Sequence, residues 1–257
     1  APFNDLAALE RTLAELDGRV AAVIMEPMNV AAPAPGFLQG VKDRAHAAGA
    51  LLIFDETITG FRFDTGGAQA LFGVTPDLAT FGKGIANGFP LSAVAGRRDV
   101  MMLMEEIFFS FTMGGETASL AAAKTVLTRL RDKPVLARMR EIGADLADRL
   151  RAEIARAEAA DILTVSGDPT WSFLVVADGP CATSWELKTL FSQEMFRRGV
   201  LTLGTHNLSA AHGPAEIDAL IAVYAETLPL LKRAATEPGA LGELLCVAPL
   251  QPLFKVR

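Results

Sequence analysis

The sequence predicts an α/β chain: a mostly parallel sheet comes first, and an α+β domain follows it. Three observations predict this. Short apolar runs alternate with amphipathic helical stretches through the first 115 residues. The links between them are short, and strand–helix–strand with short links is the mark of a parallel sheet with right-handed crossovers. After residue 115 the alternation gives way to long helices and a strand pair that reads as antiparallel.

Residues 4–17 predict an amphipathic helix, with Leu6, Leu9, Leu13 and Leu16 on one face and Asn4 or Asp5 as its cap. "RVAAVIMEP" predicts a buried strand ending at Glu26-Pro27, and residues 36–49 predict a helix stopped by Gly49. "ALLIFDE" (50–56) is the next strand. Both strands are continuous apolar runs, as in sheets covered on both faces. Residues 76–83 and 90–97 predict two more strands, joined by the glycine-rich loop "GKGIANGFP". Helices are expected over 116–132 and 134–158, then strands in "ILTVSGDP" and "WSFLVVAD". A helix over 184–199, a strand over 200–204 and a helix over 213–235 complete the pattern. The expected domains are 1–133, 134–235 and an irregular tail, 236–257.

Composition narrows the function classes. With 51% hydrophobic and 21% charged residues, the chain has the make-up of an ordinary soluble globular protein. A net charge of −6 argues against nucleic acid or an anionic membrane as partner. No stretch stays apolar for the ~20 residues a membrane span requires. No segment has the form of a signal peptide. Cys181 and Cys246 are too few for a disulfide scaffold and suit a reducing cytoplasm. The chain opens without Met, inside a structured pattern, so it is expected to be processed, trimmed or part of something longer.

The acidic pair Asp55-Glu56 at a strand end admits two chemistries. A nucleotide hydrolase would need Gly-x-x-x-x-Gly-Lys-[Ser/Thr] as well. Here Gly84 follows Gly82-Lys83, and Asp77 stands six residues before Lys83 where a glycine is required. The dinucleotide fingerprint also misses, because Gly82, Gly84 and Gly88 are spaced one residue too far. The other chemistry fits better. A lysine on a glycine-rich loop after a strand is an amine nucleophile for an aldehyde cofactor. Pyridoxal phosphate needs that lysine, an anionic partner for its ring nitrogen and donors for its phosphate. Lys83 and Asp55 end neighbouring predicted strands, where open parallel sheets bind ligands, and Thr112 precedes a helix in a turn suited to an anion.

From "FDETITGF" through "TPDLATFGKGIANGFP" to "SAVAGRRDVM", the sequence resembles class III (fold type I) pyridoxal-phosphate aminotransferases. Within them it is most similar to the glutamate-1-semialdehyde aminomutase branch. "AAVIMEPMNVAAPAPGFLQGVKDRAHAAG" extends the likeness upstream, and "HNLSAAHGPAEID" resembles the C-terminal domain. The resemblance implies a fold type I large domain, here N-terminally truncated, with pyridoxal 5'-phosphate as cofactor. It implies Lys83 as the internal-aldimine lysine, Asp55 as ring-nitrogen partner and Thr57 on the ring face, where Val is usual. Thr112 would reach the phosphate in the neighbouring subunit, which implies a homodimer with shared sites. The substrates implied are a small-molecule amine and a keto or aldehyde acceptor, or the two ends of one molecule in an aminomutase. Glu116 departs from the usual Asn. The chain resembles the C-terminal three-fifths of such an enzyme, and the family's phosphate loop and stacking aromatic have no counterpart in it. An inactive fragment that needs a partner chain is the alternative of another class.

The remaining polar and aromatic residues have plainer readings. Glu56 is expected to bond backbone or hold Arg62, and Glu26 to line the site or pair with a cation. His206 and His212 lack metal-ligand partners at useful spacing and are expected to be structural or on the surface. Trp171 and Trp185 are expected in the core or at an interface, and Met101, Met102 and Met104 in packing.

Overall fold

The computed structural model describes residues 1–251; residues 252–257 of the expected tail lie outside the described residues. The chain forms two compact units, Ala1–Leu136 and Ala137–Arg257.

The first unit opens with α1 (Leu6–Leu16), whose cap is Asp5: its carboxylate accepts the Ala8 N–H at 2.8 Å. Strand β1 (Ala22–Met25), helix α2 (Phe37–Ala47) and strand β2 (Leu51–Asp55) follow. Then come α3 (Gly67–Phe72), β3 (Leu78–Phe81), β4 (Ala93–Gly96), α4 (Arg98–Met101) and α5 (Thr117–Asp132). The sheet order is β1-β2-β3-β4. β1, β2 and β3 are parallel, and β4 is antiparallel to β3. The direction of β4 follows from its link, a turn and loop without a crossover helix to carry the chain back. Leu9, Leu13, Phe37, Leu38 and Val41 of the helices close over Leu52 and Phe54 of β2. Each such fully buried side chain contributes roughly 1.5–3 kcal/mol.

A buried carboxylate ties this sheet together. Asp77, just before β3, accepts the Leu52 N–H at 2.7 Å, pairs with His46 Nε2 at 2.8 Å and accepts Arg97 Nη1 at 3.0 Å. It thereby joins β2, α2 and the residue after β4. Burial alone would raise its pKa. The Leu52 amide outweighs that, with His46 and Arg97, and the carboxyl is held down at about 2.

The second unit consists of α6 (Val135–Arg156), β5 (Leu163–Asp168), β6 (Trp171–Val176), α7 (Ser184–Arg197), β7 (Thr205–Asn207), α8 (Pro214–Thr236) and α9 (Ala240–Leu244). The strands form an antiparallel sheet in the order β5-β6-β7. Leu146 and Leu150, Leu187 and Leu190, and Tyr224, Leu228 and Leu231 bring the three long helices into one core with Leu163 and Leu174.

Four expectations need correction. In the first unit, β1 is not the buried strand expected: none of its residues is buried, and Ile24 is 63% exposed, because the described helices α1 and α2 pack on one face of the sheet. The third strand of the second unit is Thr205–Asn207, not 200–204. Gly204 turns the chain at φ 85, its carbonyl takes the Leu174 N–H at 2.7 Å, and pairing with β6 begins only beyond it. Leu201 and Leu203 are therefore 90% and 76% exposed. The tail expected to be irregular contains α9, held because Leu241, Leu244 and Leu245 pack on the unit's core. Met102 and Met104 are exposed, not packed.

Candidate active site

Register decides which side chains share a face at the C-terminal edge of the parallel strands. Along β2, Leu52 and Phe54 are buried while Leu51, Ile53 and Asp55 are half-exposed. Asp55 is the last residue of the strand and pairs with Thr80 of β3. Partners in register project from the same side of the sheet. The Thr80 hydroxyl donates to Asp55 Oδ1 at 3.2 Å, and the Thr57 N–H donates to the same oxygen at 2.9 Å. Burial alone would raise the Asp55 pKa, but hydrogen bonds from Thr57 and Thr80, with the Lys83 charge, outweigh it and hold the carboxyl below its ordinary value. The site therefore offers an ionised carboxylate at neutral pH.

Lys83 lies just beyond the neighbouring strand. The chain leaves β3 through Gly82 and enters a 3₁₀ turn, Lys83–Ile85. Lys83 adopts φ 41, in the left-handed region, and its side chain is exposed. The turn is pinned from below: Ile85 N–H donates to Gly82 O at 3.0 Å and Asn87 N–H to Lys83 O at 2.9 Å. Ile85 and Ala86 are buried with Ala123 of α5, and Phe81 and Leu91 pack beside them. An amine is thus presented on a fixed backbone. Position 82 has little spare room, because a Cβ there would stand 3.2 Å from Thr57 Cγ2. Asp55, Thr57, Gly82 and Lys83 are brought together here.

The structure does not bring Thr112 into hydrogen-bond contact with Asp55, Thr57 or Lys83 among the described residues. Thr112 stands in the exposed loop before α5, next to Phe108, Phe109 and Phe111, which are 96%, 62% and 53% exposed. Glu116 caps α5: its carboxylate accepts the Ala118 and Ser119 N–H groups at 2.8 and 2.7 Å, which gives the departure from Asn a local role.

The other candidates are structural. Glu56 is buried and accepts the Thr59 hydroxyl and the Ala68 and Gln69 N–H groups at the start of α3. Glu26 accepts Asn29 Nδ2 at 2.8 Å and lines a groove of about 490 Å³ beside β1. His206 is buried between Ser172 Oγ (2.9 Å) and the Tyr224 hydroxyl (2.7 Å), and His212 Nδ1 accepts the Ser209 N–H. Trp171 is core, edge-on to Phe173, whereas Trp185 is 41% exposed under Lys188. Sequence reasoning missed Asp77 and Thr80. The run "TPDLAT" holds both, but nothing in its spacing reveals what they bond.

Residues 3–207 match the family model for class-III aminotransferases. The chain belongs to the class-III aminotransferase family. With membership come the fold type I architecture and pyridoxal 5'-phosphate as the family's cofactor. This class-III chain is 35% identical over 252 residues to a glutamate-1-semialdehyde 2,1-aminomutase of Roseiflexus castenholzii, covering 91% of the chain and 58% of that relative. It is 44% identical over 165 residues to the aminomutase of Anaeromyxobacter dehalogenans, covering 62% of the chain and 38% of that relative. Among solved structures, the Sphingopyxis sp. MTA144 FumI protein, in a form with PLP, superposes with a TM-score of 0.82 at 25% identity, over 95% of this chain and 59% of that one. An omega-transaminase from Sphaerobacter thermophilus superposes with a TM-score of 0.77 at 26% identity, over 90% and 57%. The class-III chain thus spans under two thirds of these relatives. Its ionised carboxylate, exposed amine and close-packed glycine fit one side of a pyridoxal-phosphate site.

Proposed function

We propose that this chain carries the lysine side of a pyridoxal-phosphate aminotransferase site, which moves an amino group between an amino compound and a keto or aldehyde acceptor. One observation carries the reading: Asp55 ends β2, Lys83 follows the adjacent parallel strand β3, and the Lys83 charge acts on the Asp55 carboxyl. When bound, the cofactor supplies an aldehyde for amines and a protonated ring that draws electrons from the substrate Cα. Asp55 would hold that proton at the ring nitrogen. Lys83 would hold the group through Nζ and would serve as the general acid–base that moves a proton at the substrate carbon. Thr57, whose Cγ2 lies against Gly82, would pack on the ring face.

The substrate reading favoured next to general transamination is intramolecular transfer, because both aminomutase relatives carry that name. A homodimer with shared sites is supported by the exposed Phe108, Phe109 and Phe111 around Thr112, since apolar clusters of this kind mark interaction surfaces. Thr112 is proposed to reach the phosphate held by the neighbouring subunit. A cytoplasmic location is supported by the two free, exposed cysteines. No helix among the described residues is long and apolar enough to cross a membrane.

The test is absorbance of the purified chain with pyridoxal phosphate, before and after borohydride, followed by peptide mapping. The reading expects the reduced label on Lys83. A label on another lysine overturns the assignment. No label on the chain alone, with labelling restored when the remainder of the relatives' length is supplied, favours the partner-dependent fragment.

A further inference from the structure

We infer that Thr80 is a positioning residue for Asp55, its hydroxyl fixing the rotation in which the carboxylate meets the cofactor's ring nitrogen. The inference rests on the proposed function above. Asp55 and Thr80 are in register across the parallel pair, so their side chains leave the same face. The backbone locks the same place, because Glu56 N–H donates to Thr80 O at 2.9 Å. The hydroxyl donates to Asp55 Oδ1 at 3.2 Å, where the Thr57 N–H already donates at 2.9 Å. An oxygen that accepts two hydrogen bonds has little left to offer a third donor. Oδ2, which takes neither of these two bonds, is then the oxygen turned toward the ring nitrogen. Thr57 holds the carboxylate from its own loop, through its amide and its side chain, and the Thr80 hydroxyl adds the hold from the neighbouring strand that fixes its rotation.

A β-branched residue is ordinary in a strand, and a role limited to packing would require only the shape of Thr80. Valine keeps that shape and lacks the donor, so it separates the two roles. The apo 257-residue chain is labelled with carboxyl-¹³C aspartate and titrated by NMR, with Asp55 assigned by its loss in Asp55→Asn. Thr80→Val is expected to raise the Asp55 midpoint toward the ordinary carboxylate range, and Thr80→Ser to leave it at the wild-type value. Thr80→Ala gives the same comparison if the valine variant folds poorly. In the loaded enzyme, Thr80→Val is expected to lower kcat by about threefold to tenfold with little change in KM, and serine to restore it. Coincident Asp55 midpoints in wild type and Thr80→Val overturn the inference. Borohydride labelling of the same proteins reads the cofactor assignment separately. Lys83 labelled with coincident midpoints leaves that assignment standing without Thr80. A moved midpoint with the borohydride label on another lysine supports the Thr80–Asp55 coupling and removes the Lys83 assignment instead.

Discussion

Gly67 lies against the Glu56 carboxylate: a Cβ built on the glycine would stand 2.6 Å from Glu56 Oε2. The glycine also adopts φ 77, where an L side chain is strained. The contact exists because Glu56 turns back to receive the Ala68 and Gln69 N–H groups, both at 2.8 Å. A buried carboxylate thus orders the segment that begins right after Asp55.

Gly67→Ala is accordingly expected to destabilise the first unit by about 2–4 kcal/mol, from backbone strain plus overpacking. Glu56→Ala, which orphans buried donors, is expected to cost about 3 kcal/mol. Urea midpoints of the two variants check this. An alanine at position 67 with an unchanged midpoint would show that the segment relaxes freely.

Lys83 couples strain to chemistry. Its φ of 41 is unfavourable for any residue with a Cβ. Lys83→Ala keeps the strain and removes the amine, whereas Lys83→Gly removes both. Neither variant is expected to be labelled by borohydride, and the glycine variant is expected to be more stable than the alanine one by about 1 kcal/mol. Denaturation of the pair measures the difference, and equal midpoints would mean that the turn carries no strain.

Asp77 is expected to matter for folding and not for chemistry. Asp77→Ala leaves the buried Leu52 N–H without its acceptor and removes the partner of His46 and of Arg97 Nη1, though Arg97 keeps Asp99, and is expected to cost about 2–3 kcal/mol. Its pKa is depressed from 3.8 to about 2, so the stability it contributes is present above pH 3.8 and is lost as pH falls toward 2. Acid unfolding of the wild type should show this loss, and the alanine variant should lack it.

His206 sets a different acid limit, in the second unit. Burial lowers its pKa from 6.5 to about 4, because the imidazolium would sit in the core between two neutral hydroxyls. Between those values the unfolded chain binds the extra proton, so stability rises with pH across the window and falls as pH drops from 6.5 toward 4. The loss at the acid end is expected to be on the order of 3 kcal/mol. Thermal melts of wild type and His206→Gln from neutral pH downward test it, and parallel pH curves for the two would reject the assignment.

Much of this was legible in the sequence because it is local. The apolar runs over 22–25 and 51–55 read as strands, and the short links between them and α2 made the sheet parallel, although one face is open: Ile24 is 63% exposed and β2 alternates buried with half-exposed residues. Asp55 at a strand end and Lys83 after a strand followed from the same reading. The strand expected over 200–204 failed for the complementary reason. Leu201 and Leu203 have the alternation of a strand, but a ladder needs a free partner, and β6 offers its edge to Thr205–Asn207. Helix α3 has only six residues, too few to nucleate by propensity, and depends on a carboxylate eleven residues upstream of its first residue.

The sequence by itself determined the order of the parallel strands and the long helices, the positions of the carboxylate and the amine, and the family to which they point. Those follow from hydrophobic periodicity and turn chemistry, which are read within a few residues. The tertiary structure alone decided that Thr80 faces Asp55, that Asp77 gathers donors from three elements, and that Glu56 serves a helix while Asp55 stays open. Such pairings depend on register between strands and on which polar groups burial strands without water, and neither quantity exists until the chain has closed on itself.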